Sequence, residues 1–263
     1  MMITVSGLFS YPVKSFRGLS HQSMSLDAFG PHMDRRFMVI NYQGKHVTQR
    51  THPKMALVSA LVSESTLSVN FDGIETVLLF SEFDVPVMAE VWSDSVDALA
   101  MSSKDFDKRL SVYLNESVRL VFMPSSTYRQ VDPDFSPESA RVSFADGFPI
   151  LLCSEESLLD LNSRLENAVA MNRFRPNIVI SGSESYQESE WRRIKIGEIE
   201  FDVAKPCSRC SMITLDERGV YNKEPLKTLA QYRLNQFGAC FGENLVQRGE
   251  GLISLGDLVE ILE

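Results

Sequence analysis

The residues best placed to do chemistry are Lys205-Pro206-Cys207-Ser208-Arg209-Cys210, two thiols and two cations within one short stretch. A thiolate attacks electrophiles and binds soft metals, and positive charge beside a thiol favours that form, so Arg209 and Lys205 are positioned to help. A pair of half-buried structural cysteines is the competing reading of the hexapeptide by itself. Structural zinc is the weaker metal: it wants four ligands, Cys207 and Cys210 make half a site, and none of His21, His32, His46 or His52 stands at a partner spacing. Thioredoxin-type redox chemistry needs the motif at the start of a helix in a βαβ unit, which is not the pattern around it. Phosphate-loop and dinucleotide fingerprints are absent from the sequence.

Three more basic clusters sit at strand edges: Lys14-Ser15 in the turn Pro12 to Gly18, Asp34-Arg35-Arg36, and Arg173 to Arg175 in Asn172 to Asn177. Of the first arginine pair, one is expected to pair Asp34, leaving the other for a ligand or water. Arg173 and Arg175 call for an anion, either a ligand or the acidic stretch Glu184 to Glu190. A single anion would account for all the clusters together with Arg209, because Arg forks phosphate bidentately and Lys adds a point charge. A thiolate beside such a pocket suggests an anionic cofactor carrying a soft metal. The chain as a whole is acidic, with net charge −9 and pI near 5.1. That disfavours nucleic acid or an anionic membrane as main partner, since both need a basic face. With no membrane-spanning apolar run, no signal segment and only four cysteines in 263 residues, the expected setting is the reducing cytoplasm.

The elements that must hold these residues read mainly as strands. Met1 to Tyr11 alternates as a strand would, and Asp34 to Ile40 leads through the turn Gln43-Gly44-Lys45 into Val47 as a hairpin. Short period-two strands follow from Leu57 to Trp92, then a helix over Ser103 to Asn115 with Phe106, Leu110 and Leu114 on one face, and a strand over Val118 to Phe122. Pro124 to Pro137 reads as a loop or linker, so domains are expected at 1–122 and 123–263, with the first strands free to join the second. Next come the strand Ile150 to Cys153 and a helix capped by Ser154 that ends near Asn167. Ile194 to Ile199 and Ile253 to Leu258 look like twin hairpins, each with a Gly-acid turn. Between them lie a helix over Asn222 to Arg233 and a polar approach Phe241-Gly242-Glu243-Asn244. The fold class predicted is mainly β with α (α+β), a β-barrel with a smaller N-terminal β-rich domain.

Taken in order, Tyr11-Pro12-Val13-Lys14-Ser15, Asp34-Arg35, Phe144-Ala145-Asp146-Gly147, Phe174-Arg175-Pro176-Asn177, Lys205 to Cys210, Glu224-Pro225-Leu226 and Phe241-Gly242 resemble the MOSC-domain proteins. The likeness is to the YcbX-type bacterial proteins and the mitochondrial amidoxime-reducing components, and it runs along nearly the whole chain. What it implies is a MOSC β-barrel binding the molybdenum cofactor, with Cys210 giving its thiolate to molybdenum. Lys14, Ser15, Arg35 and Arg175 fall where that family holds the pterin and phosphate, with Asn177, Ser208 and Arg209 beside them. Gly147, Phe148 and Asn244 also fall at cofactor-contacting positions of that family, Gly147 and Phe148 where mitochondrial members have Thr-Ser and Asn244 where they have Tyr. Asp146 keeps its identity and would orient substrate or relay protons. The implied reaction is reduction and detoxification of N-hydroxylated small molecules such as amidoximes, hydroxylamines and N-hydroxylated bases. Many YcbX-type chains carry a fused ferredoxin domain; the cysteines for one are missing here, so electrons are expected from a separate ferredoxin- or flavoprotein-type donor. A non-catalytic cofactor carrier, or a protein carrying sulfur on Cys210, is the alternative.

Overall fold

The computed structural model of the chain describes residues 2–136, 140–216 and 218–263. Met1, at the head of the expected opening strand, and Pro137, at the end of the expected loop, lie outside these residues.

Seven strands close into a barrel. Thr4–Ser10 pairs antiparallel with Ile178–Ser181, which runs parallel to Ile150–Ser154. The order continues through Gly238–Gln247, Ile199–Ser208, Arg193–Ile196 and Val259–Ile261, all antiparallel neighbours. The last strand returns to the first: Val259 N donates to Ile3 O at 2.9 Å, Val5 N to Asp257 O at 2.9 Å and Gly256 N to Val5 O at 2.8 Å. Closure removes the sheet edges that would otherwise need covering. Inside, Val5, Leu8, Leu152, Ile178, Ile180, Ile194, Ile196 and Phe201 make an apolar, mostly aliphatic core. β-Branched side chains fill a pleated wall well, which is why these runs fold as strands.

The parallel pair needs a crossover, and the helix Glu155–Ser163 supplies it, with Ser154 Oγ accepting from Ser157 N at its start. It stops before Asn167: Leu165 still packs on the same apolar cluster, but after the turn at Arg164.

Most of the rest of the N-terminal half forms two small sheets, while Leu19–His21 pairs with the first barrel strand and Ser23–Asp27 joins Gly30–Pro31 and a C-terminal strand in a third. Phe37–Asn41, Val118–Phe122, Asp94–Met101 and Phe83–Val91 lie side by side, and Ser59–Val62, Thr66–Phe71 and Ile74–Leu79 make a meander. The helix Asp105–Leu114 seats Phe106, Leu110 and Leu114 on their shared core, as its spacing predicts. Asp94–Met101 is a strand the sequence reading passed over.

Three further expectations are corrected. The second Gly-acid turn does not make a hairpin, because Gly251–Ser254 pairs with Ser23–Asp27 while Val259–Ile261 pairs with Arg193–Ile196. Phe241 to Asn244 is not an approach to the last strands but the middle of the barrel strand Gly238–Gln247. The helix expected from Asn222 begins only at Leu226.

Candidate functional site

At one mouth of the barrel the chain leaves a cleft of about 370 Å³. Every site residue implied by the resemblance lines it: Lys14, Ser15, Arg35, Asp146, Gly147, Phe148, Arg175, Asn177, Ser208, Arg209, Cys210 and Asn244. Among the described lining residues, Lys14, Arg35, Arg50, Arg173, Arg175, Lys205 and Arg209 are basic and Asp146 alone is acidic. In a protein of net charge −9 this is a deliberate concentration of positive potential.

Three of the residues aimed at the cleft sit in left-handed backbone, Ser15 at φ 69°, Arg35 at φ 48° and Arg175 at φ 55°. A non-glycine residue persists there only where its surroundings over-determine it, and such strain gathers at ligand sites. Here the supports are visible. Lys14 N donates to Phe37 O at 2.8 Å, Arg35 N to Tyr11 O at 2.8 Å, and Gln49 Nε2 to Ser15 O at 2.8 Å. Tyr11 is the hub: the Arg35 and Arg175 guanidiniums lie 4.3 and 4.1 Å from its ring centroid. Its hydroxyl donates to Pro176 O at 3.1 Å, and burial pushes its pKa up to about 12, so the ring stays neutral.

Arg35 donates to Asp34 Oδ2 at 2.5 Å and to Asn177 Oδ1 at 3.1 Å. The Asn177 Oδ1 also accepts from Leu151 N and its Nδ2 donates to Phe9 O, so the amide places Arg35 and ties three barrel strands together. Arg36, expected to be left for a ligand or water, is 3% exposed, and its Nε donates to Met123 O at 2.9 Å. Arg175 donates to Phe16 O at 2.8 Å and not to the acidic stretch, and burial brings its pKa down to about 10.

Lys14 is buried, and its ammonium donates to Phe144 O at 2.7 Å and Asp146 Oδ1 at 2.5 Å. Burial lowers the Lys14 pKa, against the pull of Asp146. Desolvation by the surrounding cleft would raise the Asp146 carboxyl, but the Lys14 ammonium outweighs it and holds the group well below the usual carboxylate range. Asp146 is therefore an ionised acceptor, with 59% of its side chain open to the cleft.

Of the two cations expected beside the thiols, Arg209 is there and Lys205 is not, its place being taken by Arg50. Cys207, half-buried, receives Arg209 Nη1 at 2.9 Å, and Arg209 is itself held by Phe174 O at 2.6 Å. Cys210 receives Arg50 Nη2 at 3.2 Å. Arg50 also lies 3.8 Å from Asp146 Oδ2 and 4.7 Å from the Trp92 ring centroid. Lys205, expected beside the thiols, instead has its ammonium 4.3 Å from the Phe135 ring centroid.

Sequence reasoning missed Arg50, although a signal existed. The hairpin pairs Ile40 with His46 and Val39 with Val47, so continuing outwards puts position 50 opposite position 36, at the end where Arg35 leaves for the cleft. Cys153, by contrast, is sealed in the core, where burial pushes its thiol well above its ordinary value, and it is inert.

Residues 2–117 match the family model described as the MOSC N-terminal beta barrel domain, and residues 139–260 the MOSC domain. Mitochondrial amidoxime-reducing component 1 of Homo sapiens is 33% identical over 98% of this chain and 83% of its own length. Mitochondrial amidoxime reducing component 2 of Bos taurus is 32% identical, covering 88% of this chain and 72% of its own. A molybdenum cofactor sulfurase of Oryza sativa subsp. japonica is 31% identical over 91% of this chain but only 32% of its own length.

Proposed function

The chain belongs to the MOSC-domain family that includes the mitochondrial amidoxime-reducing components, and from that premise we propose that it is a molybdenum-cofactor-dependent reductase of N-hydroxylated compounds with Cys210 as the protein's ligand to molybdenum. The observation that carries the reading is the cleft itself, where the Cys210 thiol stands among seven basic side chains drawn from distant parts of the chain. The donor set fits such a cofactor. A metal held by side chains alone needs three or four donors, and no group of three His, Cys, Asp or Glu among the described residues could provide them. One thiol suits a soft metal that arrives with its other ligands, and the surrounding cations suit the phosphate end of its carrier.

Lys14, Ser15, Arg35 and Arg175 would hold the carrier and neutralise its phosphate, with Ser208, Arg209 and Asn244 closing on it from the barrel strands. Bound there, the cofactor supplies a molybdenum centre that takes an oxygen atom and is restored by single electrons from a separate ferredoxin- or flavoprotein-type donor. The reduction consumes two electrons and two protons, turning N–OH into N–H and water. Asp146, being ionised, accepts a hydrogen bond from the substrate's N–H or O–H and so orients the N–O bond. Lys14 fixes that carboxylate, and Arg50 spans Asp146 and the thiol, setting the distance between orienting group and ligand. In the cytoplasm such an enzyme would detoxify N-hydroxylated metabolites.

The test compares wild type with Cys210→Ser, both expressed with molybdate, for bound molybdenum and for reduction of benzamidoxime with a chemical electron donor. Loss of turnover by about a hundredfold or more, beyond what loss of an outer partner costs, is expected for the variant. Bound cofactor without turnover in the wild type would make the protein a carrier, and cyanolysable sulfur on Cys210 without molybdenum would make it a sulfur carrier.

A further inference from the structure

Resting on the reductase reading above, we propose that Phe148 and Phe237, backed by Phe135 and bridged by Lys205, form the subsite that holds the far end of the substrate and selects flat aromatic N-hydroxylated compounds over small aliphatic ones. The lining of the cleft is of two chemical kinds. Lys14, Arg35 and Arg175 are cationic, whereas half-buried Phe148 and Phe237 line the same space with apolar rings. Phe135 stands behind both rings edge to face, 6.4 Å from Phe148 at 71° and 6.1 Å from Phe237 at 73°. The Lys205 ammonium sits among them, 4.3, 5.1 and 5.7 Å from the centroids of Phe135, Phe148 and Phe237, and 3.8 Å from Asp132 Oδ2. Cation–π attraction explains why this lysine leaves the thiols to the arginines.

Each part is fixed from its own element. Phe237 rides on the tight turn between Leu234–Asn235 and Gly238–Gln247, where its N–H donates to Asn235 Oδ1 at 2.8 Å. Gly238, next to it, takes φ 112°, and a Cβ there would come within 2.9 Å of Ser208 Oγ, so the turn is pressed against the thiol strand. Lys205 pairs with Asn244 in the barrel register, and Asn244 Nδ2 donates to its carbonyl at 3.2 Å. Lys205 and Cys210 are five positions apart, at most about 18 Å of extended chain. A one-ring or two-ring molecule together with the lysine side chain spans that distance.

The chemistry of the rim follows from its parts. Phenyl faces and edges receive a planar ring by offset or edge contact, and the ammonium offers a donor to a ring nitrogen or carbonyl while repelling a cation. A small aliphatic hydroxylamine reaches Cys210 without meeting the rim and draws no affinity from it. Phe148, Phe237 and Lys205 are thus specificity-determining, while the reacting atoms stay with Asp146 and Cys210.

The experiment measures the ratio of kcat/KM for benzamidoxime to that for N-methylhydroxylamine in the cofactor-loaded protein. Phe237→Ala and Lys205→Met should each lower this ratio about tenfold, chiefly through the KM for benzamidoxime. Phe237→Leu, which keeps the apolar bulk and the fold, should lower it less. A ratio unchanged within about twofold in all three, with wild-type circular dichroism, overturns the subsite. Calorimetric titration with benzamidoxime in the absence of an electron donor separates this from failure of the reductase reading. Tighter binding to wild type than to Phe237→Ala, without turnover of either compound, keeps the subsite and discards the reductase; equal affinity, or none in either, discards the subsite.

Discussion

The interior of the N-terminal sheets and the mouth of the barrel treat neighbouring residues in opposite ways. In the sheets, Phe37 lies 5.6, 5.4 and 4.9 Å from Phe80, Phe83 and Phe122, sealed at 0% exposure, and Arg36 beside it is spent on a backbone carbonyl. One residue earlier, Arg35 takes a left-handed backbone and enters the cleft. Rings pack where the chain is sealed, and three of the cleft residues sit where the backbone is held away from its preferred conformation. The two meet in one peptide, because Phe37 O accepts from Lys14 N and Phe37 N donates to Pro12 O, so the aromatic core also sets the cation loop.

The sharpest way to break this division is Phe37→Ala. Removing a fully buried phenyl ring should cost about 3–5 kcal/mol by urea unfolding, while the backbone bonds to Lys14 and Pro12 remain. Molybdenum content of the folded variant should then match wild type. Loss of cofactor from protein that is still folded would show that the ring cluster, and not the peptide alone, positions the loop.

The next largest effect lies behind the cleft strand. Glu243 is 2% exposed, and burial, with the nearby Glu188 charge adding to it, raises its carboxyl to about 7. Raised above its unfolded value, the group binds more protons folded than unfolded between about pH 4.5 and 7. Stability should therefore fall as pH rises through that window, by up to ~3 kcal/mol. Glu243→Gln should flatten this slope and leave the protein more stable than wild type at pH 8, as read from unfolding at pH 5, 6, 7 and 8. An unchanged slope would place the dependence elsewhere.

How much of this was legible follows the range of the interactions. Local signals read well: the Ser154 cap, the spacing of Phe106, Leu110 and Leu114, and the alternation leading to Cys207 all describe contacts within a few residues. Asp94–Met101 was passed over because two of its four buried positions, Ala98 and Ala100, are alanine, which carries little hydrophobic contrast. The twin Gly-acid turns look alike locally, yet one closes a hairpin and the other divides between two sheets, since strand partners are chosen at a distance. Arg50 meets Cys210 across 160 positions, and only the hairpin register hinted at it. For the site as a whole, family likeness named the residues that line one cleft, but not that Asn177 acts through Arg35 or that Lys205 turns to the phenyl rings.

The smallest effect asks whether the left-handed loop is strained at all. Ser15 at φ 69° should cost about 1 kcal/mol relative to glycine in the same conformation. Glycine also frees the unfolded chain, which takes back roughly 0.5–1 kcal/mol. Ser15→Gly should therefore move global stability by less than about 1 kcal/mol, while Ser15→Ala keeps the strain. Both lose the hydroxyl, so both should shed cofactor faster than wild type on dialysis, followed as molybdenum retained. Subtracting one variant from the other leaves the backbone: if Ser15→Gly unfolds at higher urea than Ser15→Ala yet loses cofactor as fast or faster, the loop holds its ligand through an imposed geometry. Should the two variants unfold alike, the hydrogen bonds from Lys14 N and Gln49 Nε2 already make the left-handed turn the relaxed state, and the contrast with the aromatic core would be one of exposure and not of strain.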